Sequence, residues 1–196
     1  SVKLLLMDEK GKVENIVSRE YPLYFPYPGW SEQNPEDWYR ETICGLKELM
    51  NGFDASKVAG ISFGGQMHGL VILDKEDHVI RPAILWNDGR TKEECAYLNN
   101  EIGKETLSKY TANISFTGFT APKILWVKKN EPENFVKIDK IMLPKDYLAY
   151  RLTGVHCTDV SDASGMLLLN VAKRKWSKEM CNICGISEEM LPKLYE

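Results

Sequence analysis

Apolar positions along this chain fall into two rhythms, and each predicts a different kind of element. Short aliphatic and β-branched runs bounded by Gly, Asp or Asn predict strands at 2–7, 13–19, 58–63, 70–73, 83–86, 140–143 and 166–171. Asp8-Glu9-Lys10-Gly11-Lys12 reads as the turn of a first hairpin, and Asp74-Lys75-Glu76-Asp77 as a turn leading to a short run at 79–80. The other rhythm is helical. Asn34 is placed as an N-cap, Pro35 as the first helical residue, and Glu36 and Asp37 as first-turn acids. Tyr39, Ile43, Leu46 and Met50 then recur at helical spacing and predict one buried stripe, with Gly52 ending the helix.

Thr91-Lys92-Glu93-Glu94 has the form of a capping box and predicts a helix through Asn100. Further helices are predicted from Thr120 to Lys128, from Lys145 to Leu152 with Gly154 as its stop, from Ser177 to Cys184, and from Ser187 onward. Residues 21–30 hold three prolines among aromatic side chains and predict an extended loop with packed rings. Hairpins early and helix–strand alternation later predict an α/β fold, a mixed sheet flanked by helices, forming one lobe over 1–196.

Composition changes this picture little. With 43% hydrophobic and 27% charged residues the chain can bury a core. No apolar run approaches membrane-spanning length, and no basic patch points to nucleic acid, so neither partner is expected. Lys173-Arg174-Lys175 reads as a solvated turn. Five cysteines, an odd number, fit a reducing cytoplasm better than a disulfide framework. Cys181 and Cys184 lack the second ligand pair that structural zinc needs, so they read as core or surface thiols and no metal site is expected.

Two polar clusters carry the candidate chemistry. Gly64-Gly65-Gln66-Met67-His68-Gly69 and Trp86-Asn87-Asp88-Gly89-Arg90 each follow a predicted strand. Together they offer carboxamide, imidazole, carboxylate and guanidinium, an inventory suited to a polyhydroxylated ligand that needs donors and acceptors at once. Alternatives stand beside this. Met67 could fill core space, although its glycine neighbours suggest a backbone approached closely by a ligand. Asn87, Asp88 and Arg90 either reach hydroxyls or form scaffolding, with Asp88 capping the next helix and Arg90 pairing with a carboxylate. Trp30 and Trp86 offer ring faces to a sugar, yet a tryptophan beside a strand is more often core. His78 and His156 read as structural. Asp146 sits in a helix's first turn and Asp159 and Asp162 in a Ser/Gly-rich turn, so none is promoted to a catalytic base.

Several segments in order resemble the FGGY carbohydrate kinases: 30–35, 61–69, 82–91, 118–126, 143–148, 151–154 and 161–165. They are most similar to members acting on D-xylulose. The resemblance implies a ribonuclease-H-like, actin-like lobe that binds the sugar, lacking its first strand, with the C-terminal lobe absent from this chain. It implies ATP-dependent phosphorylation of D-xylulose to D-xylulose 5-phosphate. ATP and Mg2+ would be bound mainly by parts outside this chain, and the catalytic base would lie beyond Glu196. It further implies that Met67 and His68 contact the ketose and that Gln66 orients their turn. Glycerol-phosphorylating members carry a ligand-contacting tyrosine where this chain has Gly118, so glycine there is expected to leave room for a longer sugar. A homodimer of the full-length enzyme is among the assemblies the resemblance allows. Rival expectations are a kinase for ribulose, gluconate or glycerol, and a non-catalytic carbohydrate-binding domain.

Overall fold

In the computed structural model, which describes residues 1–196, the chain opens with the expected hairpin. β1 (Val2–Met7) and β2 (Val13–Arg19) pair antiparallel, with a bulge at Leu6/Met7. The Asp8 carboxylate accepts from the amides of Lys10 and Lys12, and Gly11 takes the left-handed φ of +81° that closes the turn. β3 (Glu32–Gln33), which the apolar pattern does not announce, leads into α1 (Pro35–Leu49). Asn34 caps this helix as predicted, its side-chain oxygen accepting from the Glu36 amide.

The buried face of α1 corrects the predicted stripe. Trp38, Thr42, Gly45 and Leu49 are buried, whereas Tyr39, Ile43, Leu46 and Met50, one residue further round, are only half-buried. The spacing is the same and the phase differs. Closest approach sets it: a Cβ on Gly45 would lie 2.6 Å from Leu4 Cδ1, so the small residues of α1 mark where the hairpin presses on the helix.

After Leu49 a single 3₁₀ turn at Ala55–Lys57 precedes 58–63, which forms no strand. Val58 and Ile61 are exposed there. β-branched residues favour a strand only where a neighbour supplies the ladder, and here none pairs with them. β4 (Val71–Leu73) and β5 (Ala83–Ile84) are shorter than predicted. β5 pairs antiparallel with β3, and a bridge between Leu70 and Ile84 joins β5 to the start of β4.

α2 (Lys92–Tyr97) runs through a π-helical stretch at Leu98–Gly103 into α3 (Lys104–Thr111), well past the predicted end at Asn100. Its capping box does not form, because the Thr91 hydroxyl donates to the Thr117 carbonyl instead. α4 (Thr120–Asn130) matches expectation, and a short α5 (Pro132–Phe135) follows. β6 (Lys140–Met142) pairs antiparallel with β4, and α6 (Pro144–Thr153) ends at Gly154 with φ +74°.

The remaining elements are β7 (Cys157–Asp159), α7 (Val160–Ser164), β8 (Leu169–Asn170), β9 (Lys175–Trp176), α8 (Lys178–Cys184) and β10 (Lys193–Tyr195). β8 and β9 form a hairpin whose turn exposes Lys173 and Arg174, as predicted. β10 adds parallel to β7, and the helix expected from Ser187 is one 3₁₀ turn at Glu188–Met190. Strands thus occur as short pairs, both parallel and antiparallel, and not as one broad sheet. The main core packs Ala121, Ile124 and Val127 of α4 against Met166–Leu169 and α8. Cys181 and Cys184 lie inside it, and burial pushes their thiols up to about 11 and about 12. No helix is long and apolar enough to cross a membrane.

Candidate functional site

Backbone register brings the two predicted clusters together. Leu70 and Ile84 exchange both peptide hydrogen bonds, at 2.9 and 3.2 Å. Antiparallel pairing then sets residue 68 across from residue 86, so both turns leave the sheet at one end. The start of α4 closes the corner from below. Thr120 Oγ1 donates to the His68 carbonyl at 3.1 Å, and Lys123 Nζ donates to the same oxygen at 2.9 Å and to the Gly118 carbonyl at 2.5 Å.

His68 itself is unusual. It holds φ +63°, a left-handed conformation costly for a residue with a side chain. Its half-buried imidazole places Nδ1 2.9 Å from the Gly165 carbonyl. A carbonyl only accepts, so Nδ1 carries the proton and Nε2 is left as an acceptor. Burial holds the pKa below the ordinary histidine value, against the opposing hydrogen bond to Gly165, so the ring is neutral at pH 7. The ring lies against Phe119, with centroids 4.8 Å apart. Gly165 has to be glycine, because a Cβ there would stand 2.2 Å from His68 Cε1.

Around this ring the surface is open and partly apolar. Met67 is 51% exposed, Trp86 55% and Phe116 52%. Trp86 is therefore not the core residue that its place beside a strand suggested, while Trp30 is half-buried. Asn87 is exposed next to Trp86. Gln66 turns inward, its Nε2 3.4 Å from Gln33 Oε1.

Asp88 and Arg90 correct the expectation that they face the ligand. Both side chains have 0% exposure; Asp88 is saturated, while Arg90 keeps one guanidinium nitrogen, Nη1, without a hydrogen-bond partner. Asp88 Oδ2 accepts from the Ser31 amide at 2.6 Å and from Arg90 Nη2 at 2.7 Å, and its Oδ1 accepts from the Arg90 amide and Nε, each at 2.9 Å. Arg90 Nη2 also meets Glu32 at 2.7 Å, and its guanidinium lies 3.7 Å from the Trp30 ring centroid. The scaffolding account is the one realised here, although Asp88 caps the Ser31 amide and not the helix after it. Gly118 has a second physical reason to be glycine. A Cβ there would meet the Trp86 carbonyl oxygen at 2.7 Å, so close backbone approach accounts for the glycine without a ligand.

Several contributors had no role in the sequence reading: Thr120, Lys123, Phe119 and Gly165. The available signal was their presence in the 118–126 and 161–165 segments that carry the family resemblance. Lys123 is fully buried, which lowers its pKa to about 7.

Elsewhere, Asp146, Asp159 and Asp162 surround Lys145 Nζ at 2.7, 2.7 and 3.5 Å. The ammonium occupies the centre of that cluster, and no group of three or more His, Cys, Asp or Glu is arranged to hold a metal ion. His156 is structural as expected, its Nε2 3.1 Å from the Ile141 carbonyl, and His78 is exposed. An open cavity of about 860 Å³ beside Glu36, Arg81 and Tyr150 contains none of the predicted residues.

Known proteins resemble this chain in sequence and in fold. The profile of the FGGY family of carbohydrate kinases, N-terminal domain, matches residues 1–196. The xylulose kinase of Bacillus subtilis (strain 168) is 47% identical over 198 residues, which cover 100% of this chain and 40% of that protein. The crystal structure of a xylulose kinase from Brucella ovis superposes with a TM-score of 0.94 at 41% identity, over 99% of this chain and 41% of that one. Gluconate kinase from Lactobacillus acidophilus superposes with a TM-score of 0.93 at 30% identity, over 99% and 39%. The chain spans about two fifths of the length of the curated relatives it matches. Its fold is the actin-like lobe of these sugar kinases. From first residue to last, the chain belongs to the FGGY family of carbohydrate kinases.

Proposed function

We propose that the protein containing this lobe transfers the γ-phosphoryl group of ATP to D-xylulose, forming D-xylulose 5-phosphate, and that this lobe holds the sugar. The observation that carries the reading is the His68 corner. A neutral imidazole with a free Nε2 acceptor stands beside exposed Met67 and across from Trp86, in a chain 47% identical to a relative named xylulose kinase.

Each group has a physical task. His68 Nε2 accepts a hydrogen bond from a sugar hydroxyl, the Trp86 ring covers sugar C–H groups, and the Asn87 carboxamide offers both a donor and an acceptor. Asp88, Arg90 and Gln66 hold those surfaces in place and do not touch the ligand. Phosphoryl transfer needs the attacking hydroxyl held in line with the γ-phosphate, so accurate positioning is itself a large part of the catalysis. As the new O–P bond forms and the bond to ADP breaks, the hydroxyl proton passes to a base. Asp146 and Asp159 are held by Lys145, and Asp88 is saturated, so none of them is free for that task. The acidic cluster, filled by Lys145, does not fit Mg2+.

The superposition on gluconate kinase makes a sugar acid the second reading. It is the weaker one. A carboxylate substrate calls for a cation at the open face, and both Arg90 and Lys123 are buried away from it. The test is a substrate panel on the full-length protein with D-xylulose, D-ribulose, gluconate and glycerol, read by ADP release. D-xylulose is expected to give the highest kcat/KM, and His68→Ala to raise its KM. A higher kcat/KM for gluconate or ribulose would overturn the substrate assignment, and no ADP release with any of them would favour a binding domain.

A further inference from the structure

We propose that Lys123 is a positioning residue for the sugar site: its Nζ ties the His68 peptide to the Gly118 peptide and so sets the spacing between the imidazole and the wall that begins at Trp86. The inference rests on the function proposed above and deepens it, because Lys123 is buried beneath the site and acts only through other residues.

A buried lysine is costly unless something satisfies it. Lys123 has no exposure and hydrogen-bonds no carboxylate, and its α4 neighbours Ala121 and Ile124 are core residues. Its partners are two peptide carbonyls from two different loops, His68 and Gly118. An apolar side chain of equal length would fill the same space more cheaply, so the role of the amine lies in those two bonds. Two N–H groups suffice for them, and a neutral amine supplies both. The clamp therefore holds whether or not Lys123 is protonated.

One end of the clamp is strained and the other is tightly packed. His68 keeps its φ of +63° because its carbonyl is held by Lys123 and Thr120 while its ring is held by Gly165. Gly118 packs so closely on the Trp86 carbonyl that a Cβ would come within 2.7 Å, so a shift of Gly118 is passed to Trp86. Lys123 joins these two contacts through one nitrogen.

The test uses the full-length protein with Lys123→Met, which keeps length and bulk, and the pair Thr120→Val and Thr120→Ser. Calorimetry reads the Kd for D-xylulose and for ATP, and nitrogen-15 spectra read the His68 imidazole. Lys123→Met is expected to weaken D-xylulose binding about tenfold while leaving ATP within about twofold, and to shift the His68 Nδ1 resonance. Thr120→Val is expected to weaken it a few-fold, with Thr120→Ser restoring it. A folded Lys123→Met that binds D-xylulose within about twofold of wild type overturns the inference. Should Lys123→Met fail to fold, equal sugar affinity in the two Thr120 variants overturns it. Wild-type protein that binds no ketose overturns the proposed function instead. The His68 resonance of unliganded Lys123→Met then decides the positioning claim separately, an unshifted signal overturning it.

Discussion

The 64–69 turn and the 86–90 turn look alike in sequence, since each is a polar cluster after an apolar run, yet they end in opposite electrostatic states. His68 is half-buried with one ring nitrogen still free. The side chains of Asp88 and Arg90 are fully buried, with hydrogen bonds to Ser31, to Glu32 and to each other. The difference separates a group able to bind from a group able to hold. Buried charges have to be paired within the protein, and side chains committed to that pairing are turned away from the open surface. A neutral ring at the surface avoids that constraint.

The sharpest way to break the comparison is at its buried side. Arg90→Ala strands the buried Asp88 carboxylate and leaves Glu32 with Arg81 alone, and is expected to cost about 3–5 kcal/mol of stability in urea melts. A loss under about 1 kcal/mol would mean that the network is not a scaffold. Next in size is Gly165→Ala, which drives a methyl group into the His68 ring. It should cost about 1–3 kcal/mol of stability and weaken sugar binding without changing nucleotide affinity. Unchanged sugar affinity would show that the ring position is unimportant. Gly118→Ala should lower the unfolding midpoint by a similar or smaller amount, because its methyl group meets the Trp86 carbonyl. An unchanged midpoint would return Gly118 to the role of making space.

Titration sharpens the open side. Burial lowers the pKa values of His68 and His156, so the unfolded chain takes up protons first as pH falls. Their contribution is fully present above about pH 6.5 and is lost as pH drops from there through the lowered folded values. The urea midpoint should therefore fall between about pH 7.5 and about pH 5.5, and less so with both residues replaced by Gln. Sugar affinity should fall in the same window as Nε2 is protonated. The smallest effect is a control: Glu93 and Lys129 pair at 2.6 Å on the exposed surface, and Lys129→Ala should leave the melt unchanged.

Local rules were legible where local chemistry decides the outcome. The Asn34 cap, the hairpin of β1 and β2, and the Gly154 stop of α6 each depend on a few adjacent residues, and each was readable in them. Resemblance over the whole length identified the family and directed attention to Met67 and His68. What failed were judgements needing a partner from elsewhere. Residues 58–63 have strand composition and no pairing neighbour. The face of α1 turned because Leu4 presses on Gly45, and the Thr91 hydroxyl preferred the Thr117 carbonyl over its own helix.

By itself, then, the sequence determined the family, the order of most helices and strands, and the residue types gathered at one sheet end. Only tertiary structure decided which of those residues remain free. Exposure and hydrogen-bond saturation are set by groups far apart in the chain: His68 against Gly165, Asp88 against Ser31, and Lys123 between two loops. A side chain's chemistry is written in its own position, but its availability depends on everything that folds against it.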